Sequence, residues 1–165
     1  MLESFEISTV LPATPKRLYE AWLSTKEHAA MTGGQASIEP QAGGKHYEWD
    51  GYIWGVNLEL TPHKRIVQSW RSAEFPEGSQ DSRLEIRFEA IKGGTKLTLI
   101  HSNIPEGQGD SYESGWDENY FQPMKKYFKP AKKVAAKTAK AKRATTKAKP
   151  KKTAVKKTAV RRKAR

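Results

Sequence analysis

Arg83-Leu84-Glu85-Ile86-Arg87-Phe88-Glu89 alternates charged and apolar side chains without a break. That two-residue period is the mark of a β-strand with one dry face and one wet face. Leu84, Ile86 and Phe88 point to one side. The charged residues point to the other and read as solvated surface, Glu85 and Glu89 included. Across a Gly93-Gly94 turn, Leu97, Leu99 and His101 repeat the alternation, so 83–90 and 96–102 are predicted to pair as a hairpin.

Working outward from this hairpin, strand-like runs occur at 65–71, 52–60, 45–49 and 35–39. Turn signals separate them: Pro76-Glu77-Gly78, Thr61-Pro62, Asp50-Gly51 and Gly43-Gly44. Six short strands joined by tight turns predict an antiparallel meander. Nearer the start, Phe5, Ile7 and Thr9 alternate with Glu6 and Ser8 as a further strand, which Pro12 ends. Thr14-Pro15 then reads as a helix N-cap with proline at the first helical position. Leu18, Ala21 and Trp22 give that helix its apolar stripe. Ser24 and Glu27 form a capping-box pattern for a second helix through Met31, closed by Gly33-Gly34.

A longer helix is expected near residue 110, with Asp110 as N-cap and Glu113 as its reciprocal carboxylate. Trp116, Tyr120, Met124 and Tyr127 make its inward stripe, and Pro123 should kink it. The predicted class is α+β: a curved antiparallel sheet wrapped round a C-terminal helix, with a core or cavity between them. His46, Trp70, Ile86, Phe88, Leu99, His101, Trp116, Tyr120 and Met124 are the residues expected to line that space. His46 and His101 read first as buried, hydrogen-bonded histidines. Trp54 alternates with Ile53, so Tyr52, Trp54 and Val56 form either an outward partner patch or, with a bulge at Gly55, an inward run.

Charge divides the chain in two. Residues 1–129 carry 14 Lys and Arg against 18 Asp and Glu, a net −4; residues 130–165 carry 16 basic residues and no acid. The expected organisation is a folded domain over 1–129 and a disordered Lys/Ala-rich tail over 130–165. Like charges keep such a tail extended, and phosphates are its natural partner because neutralising them releases condensed counterions. The cations are Lys132, Lys133, Lys137, Lys140, Lys142, Arg143, Lys147, Lys149, Lys151, Lys152, Lys156, Lys157, Arg161, Arg162, Lys163 and Arg165. No aromatic residue is interleaved for base stacking, so duplex DNA or structured RNA is favoured over single strands. In composition the tail resembles those of linker histones and of lysine-rich bacterial histone-like proteins.

Several classes are excluded or weakened. Without cysteine there is neither a disulfide framework nor a thiolate metal site. His28, His46, His63 and His101 lack metal-binding spacing. No nucleophile elbow, phosphate loop or dinucleotide fingerprint occurs, and Gly107-Gln108-Gly109 reads as a loop. No cofactor, no metal and no enzymatic activity are expected. The start lacks a signal peptide and no run is long enough to span a membrane, so a cytoplasmic monomer is expected, with the nucleoid or nucleus as alternative sites of the tail's action.

The block Met31-Thr32-Gly33-Gly34, Gly43-Gly44-Lys45, Asp50-Gly51, Gly55, Asn57-Leu58-Glu59-Leu60 and Pro62 resembles the activator of heat-shock-protein-90 ATPase family. The resemblance continues through Lys64-Arg65-Ile66-Val67-Gln68-Ser69-Trp70-Arg71, Pro76-Glu77-Gly78, Gly93-Gly94-Thr95-Lys96-Leu97, Ile104-Pro105-Glu106-Gly107 and Gly115-Trp116. It implies the helix-grip fold of the lipid-transfer and birch-pollen-allergen superfamily, and a chaperone of the heat-shock-protein-90 type as partner. His46 departs from it, standing where the family usually has phenylalanine. Three readings follow: a co-chaperone-like module tethered to nucleic acid, a carrier of (or, rarely in this superfamily, an enzyme acting on) a small apolar ligand in the sheet–helix cavity, and a nucleoid or chromatin protein dominated by its tail.

Overall fold

A computed structural model describes residues 1–130. The tail cations from 132 onward therefore lie outside the described residues. Seven strands form one antiparallel sheet in the order β1-β7-β6-β5-β4-β3-β2. They are β1 (Glu3–Leu11), β2 (Ala36–Ile38), β3 (Lys45–Glu48), β4 (Ile53–Thr61), β5 (Arg65–Ser72), β6 (Ser82–Ile91) and β7 (Gly94–Ile104). The α+β, helix-grip architecture is thus present, with β1 laid beside β7.

Between β1 and β2 lie α1 (Pro15–Leu23) and α2 (Thr25–Thr32). Thr14 caps α1 by accepting from the Arg17 amide at 3.2 Å. Ser24 caps α2 through the Glu27 amide at 3.3 Å. The reciprocal half of that capping box is missing, because the Glu27 carboxylate pairs with Arg17 instead. Gly33, at φ 82°, closes α2 in the left-handed conformation.

After β7 come α3 (Gly109–Trp116), a π-helical turn (Asp117–Phe121) and α4 (Gln122–Tyr127). The N-cap of α3 is Gln108, not Asp110, which sits in the first turn with its charge toward the positive helix end. The π turn is where Pro123 exerts its effect. Proline has no N–H to return to the carbonyl of Asn119, and the backbone widens just before it, with Gln122 N–H donating to Asp117 C=O. The wide turn also shifts the inward stripe. Tyr112, Trp116, Tyr120, Met124 and Phe128 are buried at constant spacing of four, while Tyr127 is 39% exposed. A pure α-helix would drift over those steps and bring Tyr127 inward; the π turn cancels the drift and replaces it with Phe128.

The core fills the space between helix and sheet. Ile86, Phe88, Leu99 and Met124, expected around a cavity, pack against Leu18, Trp22 and Leu97 with little or no exposure. Glu85 corrects the surface expectation: it is on the outer face but only 4% exposed. Arg65 Nε and Arg87 Nε donate to its Oε1 at 2.9 and 2.7 Å, and Arg83 donates to its Oε2 at 2.9 Å. These cations hold its carboxyl at about 2, below the ordinary range, the Arg65 bond contributing most. Alternation places a charge on the outer face; it does not reveal that neighbouring guanidiniums will roof it over.

Candidate functional site

The helix leaves an opening onto the aromatic interior. Trp70 projects inward from β5, Tyr112 and Trp116 from α3, and Tyr120 from the π turn, with Trp116 and Tyr120 ring centres 4.5 Å apart. The β3–β4 turn supplies the opposite wall. Trp49 and Asp50 both take positive φ, 54° and 56°, ahead of Gly51, an uncommon run for non-glycine residues that turns the indole of Trp49 over the sheet. Gly34 makes room for it: a β-carbon there would stand 2.5 Å from Trp49 Cε3. Together these residues, with Tyr52, Ile53, Ser111, Gly115 and Asn119, enclose a cleft of about 310 Å³. No charged side chain lines it. It lies at the lower end of ligand-pocket volumes, roughly 300–1,000 Å³.

Behind the cleft, each interior histidine is engaged. Trp116 Nε1–H donates to His101 Nδ1 at 3.2 Å, His101 Nε2–H donates to Ser82 Oγ at 2.8 Å, and Ser82 donates on to Trp70 C=O at 2.8 Å. This chain selects the neutral Nε2–H tautomer, and burial depresses the His101 pKa to about 3. His28 donates from Nδ1 to Trp22 C=O at 2.8 Å and accepts at Nε2 from Tyr120 at 3.3 Å. Burial lowers the pKa of His28 and raises that of Tyr120.

His46 reaches across a neighbouring strand. Its Nε2–H donates to Ser69 C=O on β5 at 2.9 Å, passing over Gly55 of β4. Its Nδ1 faces both Glu48 oxygens at 3.0 and 3.1 Å. Val56 N–H meanwhile donates to Ser69 Oγ at 2.9 Å. Polar side chains thus tie both β3 and β4 to β5 between the Trp54–Arg71 and Asn57–Gln68 pairs.

Of the residues expected around a cavity, Trp70, Trp116 and Tyr120 line the cleft. His46 and His101 lie behind it, and Ile86, Phe88, Leu99 and Met124 belong to the solid core. The structure also separates Tyr52 from Trp54 and Val56. Tyr52, 37% exposed, stands at the cleft, while Trp54 and Val56 are half-buried on the outer face. The bulge of β4 falls between Asn57 and Glu59, leaving Leu58 exposed, and not at Gly55. Tyr112 and Trp49 are cleft residues that sequence reasoning did not single out. Tyr112 was within reach, one helical step before Trp116; Trp49 depends on a left-handed turn that carries no periodic signal.

A curved antiparallel sheet gripping a C-terminal helix, with an aromatic cleft between them, defines a domain of the helix-grip class. Comparison with known proteins specifies it further. The chain belongs to the Activator of Hsp90 ATPase homolog 1-like protein family, whose profile matches residues 12–129. It is 30% identical over 115 residues to the human Activator of 90 kDa heat shock protein ATPase homolog 1, covering 70% of this chain and 34% of the human protein. It is 26% identical over 133 residues to the Dictyostelium discoideum homologue, covering 80% of this chain and again 34% of the relative. The chain therefore spans about a third of the length of these curated relatives. Among solved structures, an HSP90 activator from Plasmodium falciparum aligns with TM-score 0.68 and 27% identity, over 75% of this chain and 94% of the other. The Aha1 dimer from Colwellia psychrerythraea, at TM-score 0.64, 15% identity and coverages of 76% and 96%, shares the fold.

Proposed function

We propose that this protein is a non-enzymatic, co-chaperone-like module that engages an Hsp90-type ATPase and is held near nucleic acid by its lysine-rich tail. The observation that carries the first half is the extent of the likeness. It runs through nearly the whole folded part and extends over 94% of a solved chain described as an HSP90 activator. The second half rests on the 16 unopposed cations of the tail. Tethering raises the local concentration of the module without any new contact in it.

The test is ATP turnover by the Hsp90-type chaperone of the same organism, titrated with the full chain. Turnover is expected to rise to saturation, and a flat titration would refute the reading. Deleting 131–165 should leave that stimulation intact, because the core closes within 1–130. The same deletion should abolish retention of duplex DNA. If about 6–10 cations meet phosphates, affinity of the full chain should fall roughly 10³–10⁵-fold between 50 and 200 mM salt.

The cleft favours a second reading, carriage of a small apolar ligand. Six aromatic side chains surround about 310 Å³ of space. A flat apolar probe such as a naphthalene derivative should quench tryptophan emission saturably, and Trp70→Ala should weaken this at least about tenfold. Quenching that is linear and indifferent to the substitution would remove this reading.

A further inference from the structure

The outermost strand β1 pairs only with β7. Among the described residues, no hydrogen bond beyond that ladder reaches the backbone of residues 4–10. Long free edges are normally blunted by charge, proline, bulges or a covering element, since their unpaired N–H and C=O groups are a template for another strand. Here Glu6 is the one charge among the outward residues Ser4, Glu6, Ser8 and Val10, and the one register shift lies near the strand's start, between Glu3 and Phe5.

A groove of about 560 Å³ runs along this edge. One wall is Ile7 and Ser8; the other carries Asp110, Glu113, Asp117 and Glu118 from α3 and the π turn. No lysine, arginine or histidine lines it. Among the described residues none of these carboxylates forms an ion pair, and Asp117 has only the amide of Gln122 as partner. An unpaired strand edge and an uncompensated row of negative charge thus face the same space.

We propose that this groove binds an extended basic segment of a partner protein, which adds to β1 as an eighth strand. Main-chain hydrogen bonds to β1 would supply affinity, and alternate side chains would face the helix. Side chains on one face of a strand recur about every 6.7 Å, while successive helical turns bring Asp110, Glu113 and Asp117 round about every 5 Å. Lysine or arginine at every second position can span that mismatch with its flexible stem. A second copy of this domain fits less well. Pairing β1 with β1 about a two-fold axis sets two rows of carboxylates against each other.

The experiment measures anisotropy of a short labelled peptide of alternating lysine and valine added to residues 1–130, within which the core closes, so that the cations of the tail cannot adsorb the acidic control. A glutamate-for-lysine counterpart and two N-methylated versions, blocking odd or even amides, complete the set. The lysine peptide should bind and the glutamate peptide should not. One N-methyl register should lose about tenfold or more while the other is little affected, because only alternate amides of an added strand face its neighbour. The double substitution Glu113→Lys with Asp117→Lys should weaken binding by a similar factor without lowering the melting temperature. Equal behaviour of the two N-methyl registers would overturn the proposal in favour of plain electrostatic adsorption. So would binding of the glutamate peptide, or an edge already occupied by a second copy, seen as a dimer that dissociates when the peptide is added.

Discussion

Gly55→Ala should unfold this domain or cost it about 3–5 kcal/mol, more than most single substitutions. A β-carbon at position 55 would stand 1.9 Å from Ser69 C=O and 2.5 Å from His46 Nε2. The first contact is with backbone and cannot be relieved by a rotamer change. β4 would have to part from β5, and the His46 bond that runs from β3 across β4 to β5 would break with it, leaving a buried carbonyl, imidazole and carboxylate without partners. Gly34→Ala makes a useful contrast. Its new β-carbon meets first the indole of Trp49, a side chain, at 2.5 Å. That ring borders an open cleft and can swing, so the loss should be nearer 1–2 kcal/mol. Urea denaturation of the two variants checks the ranking. Equal losses, or a near-neutral Gly55→Ala, would show that the β4–β5 seam yields more readily than its geometry indicates.

Acid should destabilise the fold well before its carboxylates titrate. His101 titrates near 3 in the fold and His28 is likewise depressed, both by burial, whereas an exposed histidine has a pKa near 6.5. Below about pH 6.5 the unfolded chain binds protons that the folded chain refuses. Stability therefore rises with pH through this window and is lost as pH falls, by up to roughly 1.4 kcal/mol per pH unit for each histidine. Glu85 adds to the loss further down. Its folded pKa of about 2 lies below the unfolded value, so its contribution is complete above about pH 4.5 and disappears as pH falls through 2. Denaturant midpoints between about pH 7 and pH 4 should fall steadily, and His101→Gln should flatten the slope. A midpoint constant down to pH 5 would mean that the histidines gain protons without leaving their sites.

Much of this architecture is legible in local pattern. The alternation of residues 83–89, the glycine turns and the Thr14-Pro15 helix start each report a backbone preference that the tertiary structure keeps. What stayed hidden depends on contacts between residues far apart in sequence. Glu85 reads as surface because its period is right, yet Arg65 reaches it from another strand. Tyr127 reads as part of the stripe until Pro123 forces a π turn. Tyr52 reads as a neighbour of Trp54 until a left-handed turn sends it to the cleft. The cleft was half visible, since helical spacing points to Trp116 and Tyr120, whereas no period marks Trp49.

The union of β1 with β7 also bears on how the chain acquires its shape. Glu3 is paired with Ile104 and Leu11 with Thr95. β1 must therefore wait for nearly all of the rest of the domain to be synthesised before its neighbour exists. Contacts of such long separation slow folding, and they expose a hungry strand meanwhile. Nascent chains arrested before residue 95 should be captured by holdase chaperones, and release should coincide with completion of the last strand.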